Sequence, residues 1–282
     1  MSDAFAHLPH PLIAPVIELC RRAGEAILPF WRNGVEVSAK ADDSPVTAAD
    51  LAAHEVLVAG LRALDPDIHV LSEEDANIPL SERSHWQRWW LVDPLDGTKE
   101  FISGSDEFTV NVALIENGQV VFGVVSMPTN NRCYFGGAGL GAWRSDDASH
   151  SQSISVRHQL ADGEVFTVVA SRRHSSPEQE GLLAGLSAVV GPLELVTIGS
   201  SLKFCLVAEG AADCYPRLAP TSQWDTAAAQ GVLEGAGGVV VDLAGERFDY
   251  PARASLLNGY FLALPEKAAW REALVGLAKS GG

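Results

Sequence analysis

The sequence predicts an α/β (α+β) fold built in layers, and three observations carry that reading. Two amphipathic helical patterns open the chain. β-rich segments with hairpin signals follow, and beyond a polar stretch at residues 145–159 strand and helix patterns alternate.

Apolar positions at Ile13, Val16, Ile17, Cys20, Ala23 and Ile27 keep helical spacing and predict a first helix over residues 11–31. A second helix is predicted over residues 47–64, with Ala53, Leu57, Leu61 and Leu64 on one face and "LDPD" as its stop. Strands are predicted at 69–71, 89–92, 108–115 and 120–126, and Asn117-Gly118 between the last two is a hairpin signal. The first half therefore reads as two helices beside a mostly antiparallel sheet. In the second half, strands at 165–170, 195–198 and 238–242 alternate with helices at 177–186, 201–209 and 223–234. An apolar stretch at 255–264 and a helix from 266 close the chain.

Apolar residues make up 47% of the chain and charged residues 20%, enough to build a large core and too apolar for disorder. Length allows one large domain or two, and the change of pattern predicts an N-terminal half over 1–160 and a C-terminal half over 161–282. The formal charge of −16 excludes a surface held to a nucleic-acid polymer by phosphate contacts, and it would also repel a small phosphorylated substrate unless cations intervened. Cys20, Cys133, Cys205 and Cys214 form no C-x-x-C pair, which fits a reducing, cytoplasmic compartment. The first residues lack a secretory pattern, no apolar run reaches membrane-spanning length, and no amphipathic basic helix marks a membrane surface.

Four acidic clusters sit at the ends of predicted elements: "KADDSPVTAAD", "VLSEED", "WLVDPLDGT" and "TSQWDTAAA". Each has an ordinary structural reading. "DPLDGT" is turn-like, and Glu73 and Glu74 could be a solvated charged turn. Thr47 and Asp50 have capping-box spacing, while Asp225 could be a first-turn acid favoured by the helix dipole. Against the turn reading, Asp93 and Asp96 repel each other unless a cation lies between them, and a hard divalent ion takes carboxylates together with a backbone carbonyl such as that of Leu95.

Taken in order, "DDSPVTAAD", "LSEE", "WLVDPLDGTKEF" and "WDTAAA" resemble the signature motifs of the inositol monophosphatase superfamily. "GTKEF" and "IGSSLKFCLVAEGAADCYPR" are similar to its branch of CysQ-type 3′(2′),5′-bisphosphate nucleotidases. The resemblance implies a layered αβαβα sandwich of the inositol monophosphatase and fructose-1,6-bisphosphatase type. It implies Glu73, Asp93, the Leu95 carbonyl, Asp96 and Asp225 as ligands of two or three Mg²⁺ ions, Glu74 behind them, and Asp50 and Thr98 as the pair that positions and deprotonates water. Substrate contacts would come from Glu73, Leu95, Asp96, Gly97, Thr98, Ser200, Ser201, Lys203, Arg217 and Asp225, with Tyr215 flanking a base.

The implied activity removes the 3′-phosphate of adenosine 3′,5′-bisphosphate, is Li⁺-sensitive and serves sulfur metabolism; peripheral association with the inner face of the cell membrane is known among relatives. Two readings compete: a sugar or inositol phosphatase with the same metal chemistry, and a silent metal-dependent nucleotide sensor, against which Asp50 and Thr98 speak. "WDTAAAQG" departs from the commoner "WDTAAG" and puts local helix packing in question. His54 and His174 read as polar surface, and Trp86, Trp89 and Trp90 as packing residues. Nothing in the sequence sets an oligomeric state.

Overall fold

The computed structural model describes residues 8–32, 37–39, 45–147, 150–170 and 177–280. In chain order its elements are α1 (Ile13–Ile27), β1 (Val37–Ala39), β2 (Pro45–Thr47), α2 (Ala48–Leu64), β3 (His69–Ser72), α3 (Leu80–Arg83), β4 (Arg88–Asp96) and α4 (Thr98–Ile102). There follow β5 (Thr109–Glu116), β6 (Gln119–Met127), β7 (Arg132–Gly137), β8 (Gly141–Ser145), β9 (Ser151–Ser153), β10 (Phe166–Ala170), α5 (Pro177–Val190) and β11 (Leu193–Thr197). The chain closes with α6 (Leu202–Ala208), β12 (Tyr215–Arg217), α7 (Ala227–Gly235), β13 (Gly238–Asp242), β14 (Phe261–Pro265) and α8 (Arg271–Ser280).

Strands β3 to β9 form a seven-stranded sheet in sequence order, antiparallel except for the β3/β4 pair. A second sheet holds β12, β14 and β13, and the parallel pair β10/β11 joins it through a bridge from Val168 to Cys214. Side chains alternate across β4, so Trp90 and Val92 meet α1 and α2 while Trp89 and Leu91 face α6 and α7. Beyond α6 and α7 lies the second sheet, whose far face packs Val168, Val239 and Leu262 against Leu182 and Leu186 of α5 and Leu274 of α8. The layers are thus helix, sheet, helix, sheet, helix: the αβαβα sandwich.

Local chemistry accounts for the element ends. Thr47 caps α2 with both halves of a capping box, as its spacing to Asp50 predicts. The first helix stops at Ile27 rather than 31, because Pro29 has no N–H to continue the ladder, and a short 3-10 turn over Leu28–Phe30 follows. The late helix predicted from 223 is split into a 3-10 turn, Gln223–Asp225, and α7, and the closing helix starts at Arg271 rather than 266. Helix α7 lies directly on the seven-stranded sheet. A Cβ on Gly123 would sit 1.9 Å from the Ala228 carbonyl oxygen, so glycine and alanine are what allow this approach. Gln230 is accommodated there: its amide donates to the Phe248 carbonyl at 3.1 Å and its carbonyl accepts from the Tyr250 hydroxyl at 2.8 Å. Trp89 and Trp90 are buried, Trp86 stacks on His69, and all four cysteines are free and buried. His54 contacts the Ser72 hydroxyl at 2.9 Å, whereas His174 lies outside the described residues.

Candidate active site

Strand β4 does not end at Val92 but runs on through "DPLD" to Asp96. Asp93 pairs with Asn111 and Asp96 with Thr109, so three steps along β4 are matched by two along β5. In a regular strand, residues three apart point to opposite faces. The extra residue of this bulge returns Asp96 to the face of Asp93, because Asn111 and Thr109, two apart, share a face. Pro94 belongs in such an irregularity, having no N–H for the ladder. Leu95 takes the opposite face and is buried among Phe101, Phe108 and Val92, which leaves its carbonyl at the site. "DPLD" thus acts as a bulge that gathers two carboxylates on the side of α6 and α7.

The other acids arrive from separate segments. Glu73 opens a 3-10 turn after β3, and Asp225 ends the turn before α7. Asp50 divides its two oxygens. Oδ2 accepts from the Thr47 N–H at 2.8 Å and the Thr47 hydroxyl at 2.6 Å, completing the cap, while Oδ1 lies 3.3 Å from the Thr98 hydroxyl. That hydroxyl is also 3.2 Å from the Leu95 carbonyl oxygen, and its single proton can serve only one of the two at a time. The capping and chemical readings of Asp50 are therefore compatible in one side chain.

Electrostatically the cluster is a strained anion site. Burial, then Glu73, Asp96 and Asp225, push the Asp93 carboxyl well above the ordinary range. Burial and Asp96 push Asp225 up to about 8 against the Ser222 N–H it accepts. Burial raises Asp96 despite Lys203, the Ser201 N–H and the Asn111 amide, and burial raises Asp50, with Glu74 adding to the effect. Among the described residues no three carboxylate, histidine or cysteine side chains are already arranged to hold a metal ion. Asp93 leans on the Leu95 N–H at 3.0 Å, Asp225 on the Ser222 N–H at 2.8 Å and Asp96 on Ser201. An all-oxygen set of mutually repelling carboxylates, with Asp93 buried and Glu73, Asp96 and Asp225 half-buried, fits a hard divalent cation, which would remove the repulsion.

Beside it opens a cavity of about 170 Å³ to which Asp96, Gly97, Ser200, Lys203, Tyr215, Arg217 and Asp225 contribute. Lys203 is nearly buried, its Nζ donating to the Ser200 carbonyl at 2.8 Å and lying 5.7 Å from the centre of the Tyr215 ring. Burial, helped by Arg217, pulls its pKa down to about 8. The buried Nε of Arg217 has no partner, a donor directed to no protein acceptor. Ser201, by contrast, does not line the cavity: its hydroxyl is buried, 2.9 Å from both Thr109 Oγ1 and Asn111 Oδ1. Sequence reasoning missed Asn111, whose amide donates to Asp96 at 3.3 Å, and the cavity residues Lys99, Glu100, Phe204 and Phe261. Lys99 and Glu100 stood in a quoted motif, whereas Asn111 sits in an unbroken apolar strand and gives no local signal.

A family model described as the inositol monophosphatase family matches residues 8–277. The chain belongs to the inositol monophosphatase family. In this family catalysis is metal-dependent. Among its relatives, the protein named 3′(2′),5′-bisphosphate nucleotidase CysQ of Salmonella typhimurium is 49% identical over 253 residues, 89% of this chain and 98% of the relative. The CysQ of Escherichia coli K12 matches with the same identity and coverage. The solved CysQ structure from Bacteroides thetaiotaomicron, titled a bacterial member of the inositol monophosphatase family, aligns at a TM-score of 0.75 and 40% identity over 90% of this chain and 96% of its own. An inositol monophosphatase of Thermotoga maritima shares the fold, with a TM-score of 0.76 at 22% identity over 96% and 98% of the two chains. No helix among the described residues is long and apolar enough to cross a membrane.

Proposed function

We propose that this inositol monophosphatase family member is a Mg²⁺-dependent 3′(2′),5′-bisphosphate nucleotidase that hydrolyses adenosine 3′,5′-bisphosphate to AMP and phosphate. One observation carries the reading: the acids Asp96 and Asp225, part of the mutually repelling carboxylate cluster, face the same cavity as the cations Lys203 and Arg217. A bisphosphate needs both, one end at a metal-neutralised acid cluster and the other at fixed positive charge. The CysQ-named relatives support the same substrate.

Glu73, Asp93, Asp96, Asp225 and the Leu95 carbonyl would hold two or three Mg²⁺ ions, with Glu74 behind them. Bound there, the ions supply charge neutralisation for the phosphoryl oxygens and the leaving alkoxide and make water more acidic. Thr98 and Asp50 then act as a relay. The Thr98 hydroxyl orients the attacking water and passes its proton toward Asp50 Oδ1, whose burial-raised pKa suits a general base. The water oxygen bonds to phosphorus as the bond to the 3′-oxygen breaks, and no covalent enzyme intermediate forms. Gly97, with φ of 90°, opens the segment whose N–H groups meet phosphate oxygens. Lys203, Ser200 and Arg217 take the second phosphate, and Tyr215 borders the base. The labour divides along the chain: residues 1–160 carry most metal ligands, and residues 161–282 bring Asp225 and the nucleotide contacts.

The test is phosphate release from the bisphosphate nucleotide, an inositol phosphate and fructose bisphosphate, with and without Mg²⁺ and Li⁺. The bisphosphate is expected to be turned over fastest, only with Mg²⁺, and to be inhibited by Li⁺. Faster turnover of a sugar phosphate refutes the substrate, and tight nucleotide binding without phosphate release refutes catalysis.

A further inference from the structure

We infer that Glu107, outside every acidic motif of the sequence, is a positioning residue that sets the geometry of the nucleotide-binding turn; the inference rests on the bisphosphate nucleotidase reading. The turn Gly199–Ser201 connects β11 to α6. Its central residue, Ser200, is held at φ of 51°, the left-handed region that non-glycine residues rarely occupy without support. Two carboxylates grip its flanks: Glu107 Oε2 accepts the Gly199 N–H at 2.7 Å, and Asp96 Oδ2 accepts the Ser201 N–H. Between these anchors the Ser200 carbonyl receives the Lys203 ammonium at 2.8 Å, so the orientation of the turn is also the orientation of the lysine.

The packing shows why residue 107 is placed to do this. A Cβ on Gly199 would lie 2.8 Å from the Glu107 carbonyl oxygen, and one on Gly97 would lie 3.0 Å from the same atom. The backbone of residue 107 is thus wedged between the glycine that opens α4 and the glycine that opens the nucleotide turn. Its side chain then takes the Gly199 N–H, at the end of the turn opposite the Ser201 N–H that Asp96 holds. Hydrogen bonds from N–H to carboxylate are the strong kind, and a turn carrying a left-handed serine depends on them. Asp96 cannot be altered without disturbing the proposed metal site. Glu107 can be altered without removing any of the proposed metal ligands, while its bond to the Gly199 N–H is lost.

The experiment compares wild type, Glu107→Ala and Glu107→Gln with adenosine 3′,5′-bisphosphate as substrate, and measures the Mg²⁺-induced rise in melting temperature of each. For Glu107→Ala we expect KM to rise about tenfold with kcat within about twofold, and an unchanged Mg²⁺ shift. Glu107→Gln, whose amide oxygen can accept the same N–H, should recover KM to within about threefold. An unchanged KM in Glu107→Ala, a kcat that falls as far as KM rises, a lost Mg²⁺ shift, or a Gln variant as impaired as the Ala variant overturns the inference. Wild type separates the two claims: if it releases no phosphate from the bisphosphate, the function is refuted and the inference falls with it, whereas an active wild type with an insensitive Glu107→Ala refutes the positioning role alone.

Discussion

Removing one charge from the acid cluster should make the metal-free protein more stable while it destroys the response to Mg²⁺. Asp225→Asn is the cleanest case, because asparagine keeps an acceptor for the Ser222 N–H that completes the local cap. Asp225 is raised from 3.8 to about 8 in the folded protein, chiefly by burial and then by Asp96. A carboxyl raised on folding favours the native state fully below its unfolded pKa, and that contribution is lost as pH climbs through the folded value. From pH 4 to pH 7 the loss reaches at most about 4 kcal/mol at ~1.4 kcal/mol per pH unit. Repulsion shared with Asp96, whose own carboxyl is also raised, leaves about 2 kcal/mol, or roughly 4 °C in a chain of this size. Mg²⁺ at a hundred times its Kd would add about 2.7 kcal/mol to wild type. Thermal unfolding at pH 7 should therefore show the two proteins crossing. In EDTA the variant melts higher than wild type, and in saturating Mg²⁺ it melts lower. The EDTA difference should vanish below about pH 4, where both states of wild type are protonated. A variant that melts below wild type in EDTA, or that keeps the full Mg²⁺ shift, refutes the argument that these acids are strained together and relieved by a cation.

Asp50→Asn should abolish turnover while the Mg²⁺-induced shift persists, and should cost about 1 kcal/mol of stability from the weakened cap of α2; calorimetric melting and phosphate release read the two effects separately. Lys203→Ala should raise KM for the bisphosphate by roughly ten- to a hundredfold, the range for a charge-assisted contact, with a smaller effect on 3′-AMP, which lacks the 5′-phosphate. The lowered pKa of Lys203, about 8 through burial first and then Arg217, fixes a sign for pH dependence. The ammonium is lost as pH rises through 8, so kcat/KM should fall on the alkaline side, and Lys203→Arg should remove that limb because guanidinium stays charged. An alkaline limb identical in the arginine variant would assign it to another group.

Local signals reached the fold more fully than they reached the site. Helix α2 was legible because its two determinants, an apolar stripe and a cap at Thr47, lie within its own residues. Strands β7, β8 and β9 were not, because "RCYFGG" and "GAWRS" are short and glycine-rich, and each of the three strands owes its place to the strand before it in the sheet rather than to a pattern of its own. The acids Asp93 and Asp96 could be picked out by their mutual repulsion. Their shared face could not, since it depends on the register against Thr109 and Asn111, thirteen to eighteen positions away along the chain.

The bulge in β4 shows what kind of information was missing. With Asp93 and Asp96 three apart, a continuous strand sends them to opposite faces and a turn leaves their directions undefined, so neither local reading assembles a site. A strand that continues with one unpaired residue does, and that solution exists only when β5 offers two positions for three of β4. The same holds for Glu107, which follows a bend in the chain and gains its place only because Gly97 and Gly199 let its backbone pass between two loops a hundred residues apart. If the register argument is right, deleting Pro94 leaves two steps of β4 against two of β5, a regular strand that keeps Asp93 and Asp96 on one face with Leu95 between them on the other. The two carboxylates then still repel each other, so in EDTA the deletion variant should melt higher when Asp96→Asn is added to it. A deletion variant whose melting temperature in EDTA does not rise on Asp96→Asn would show that the face of Asp96 is not set by its register against β5.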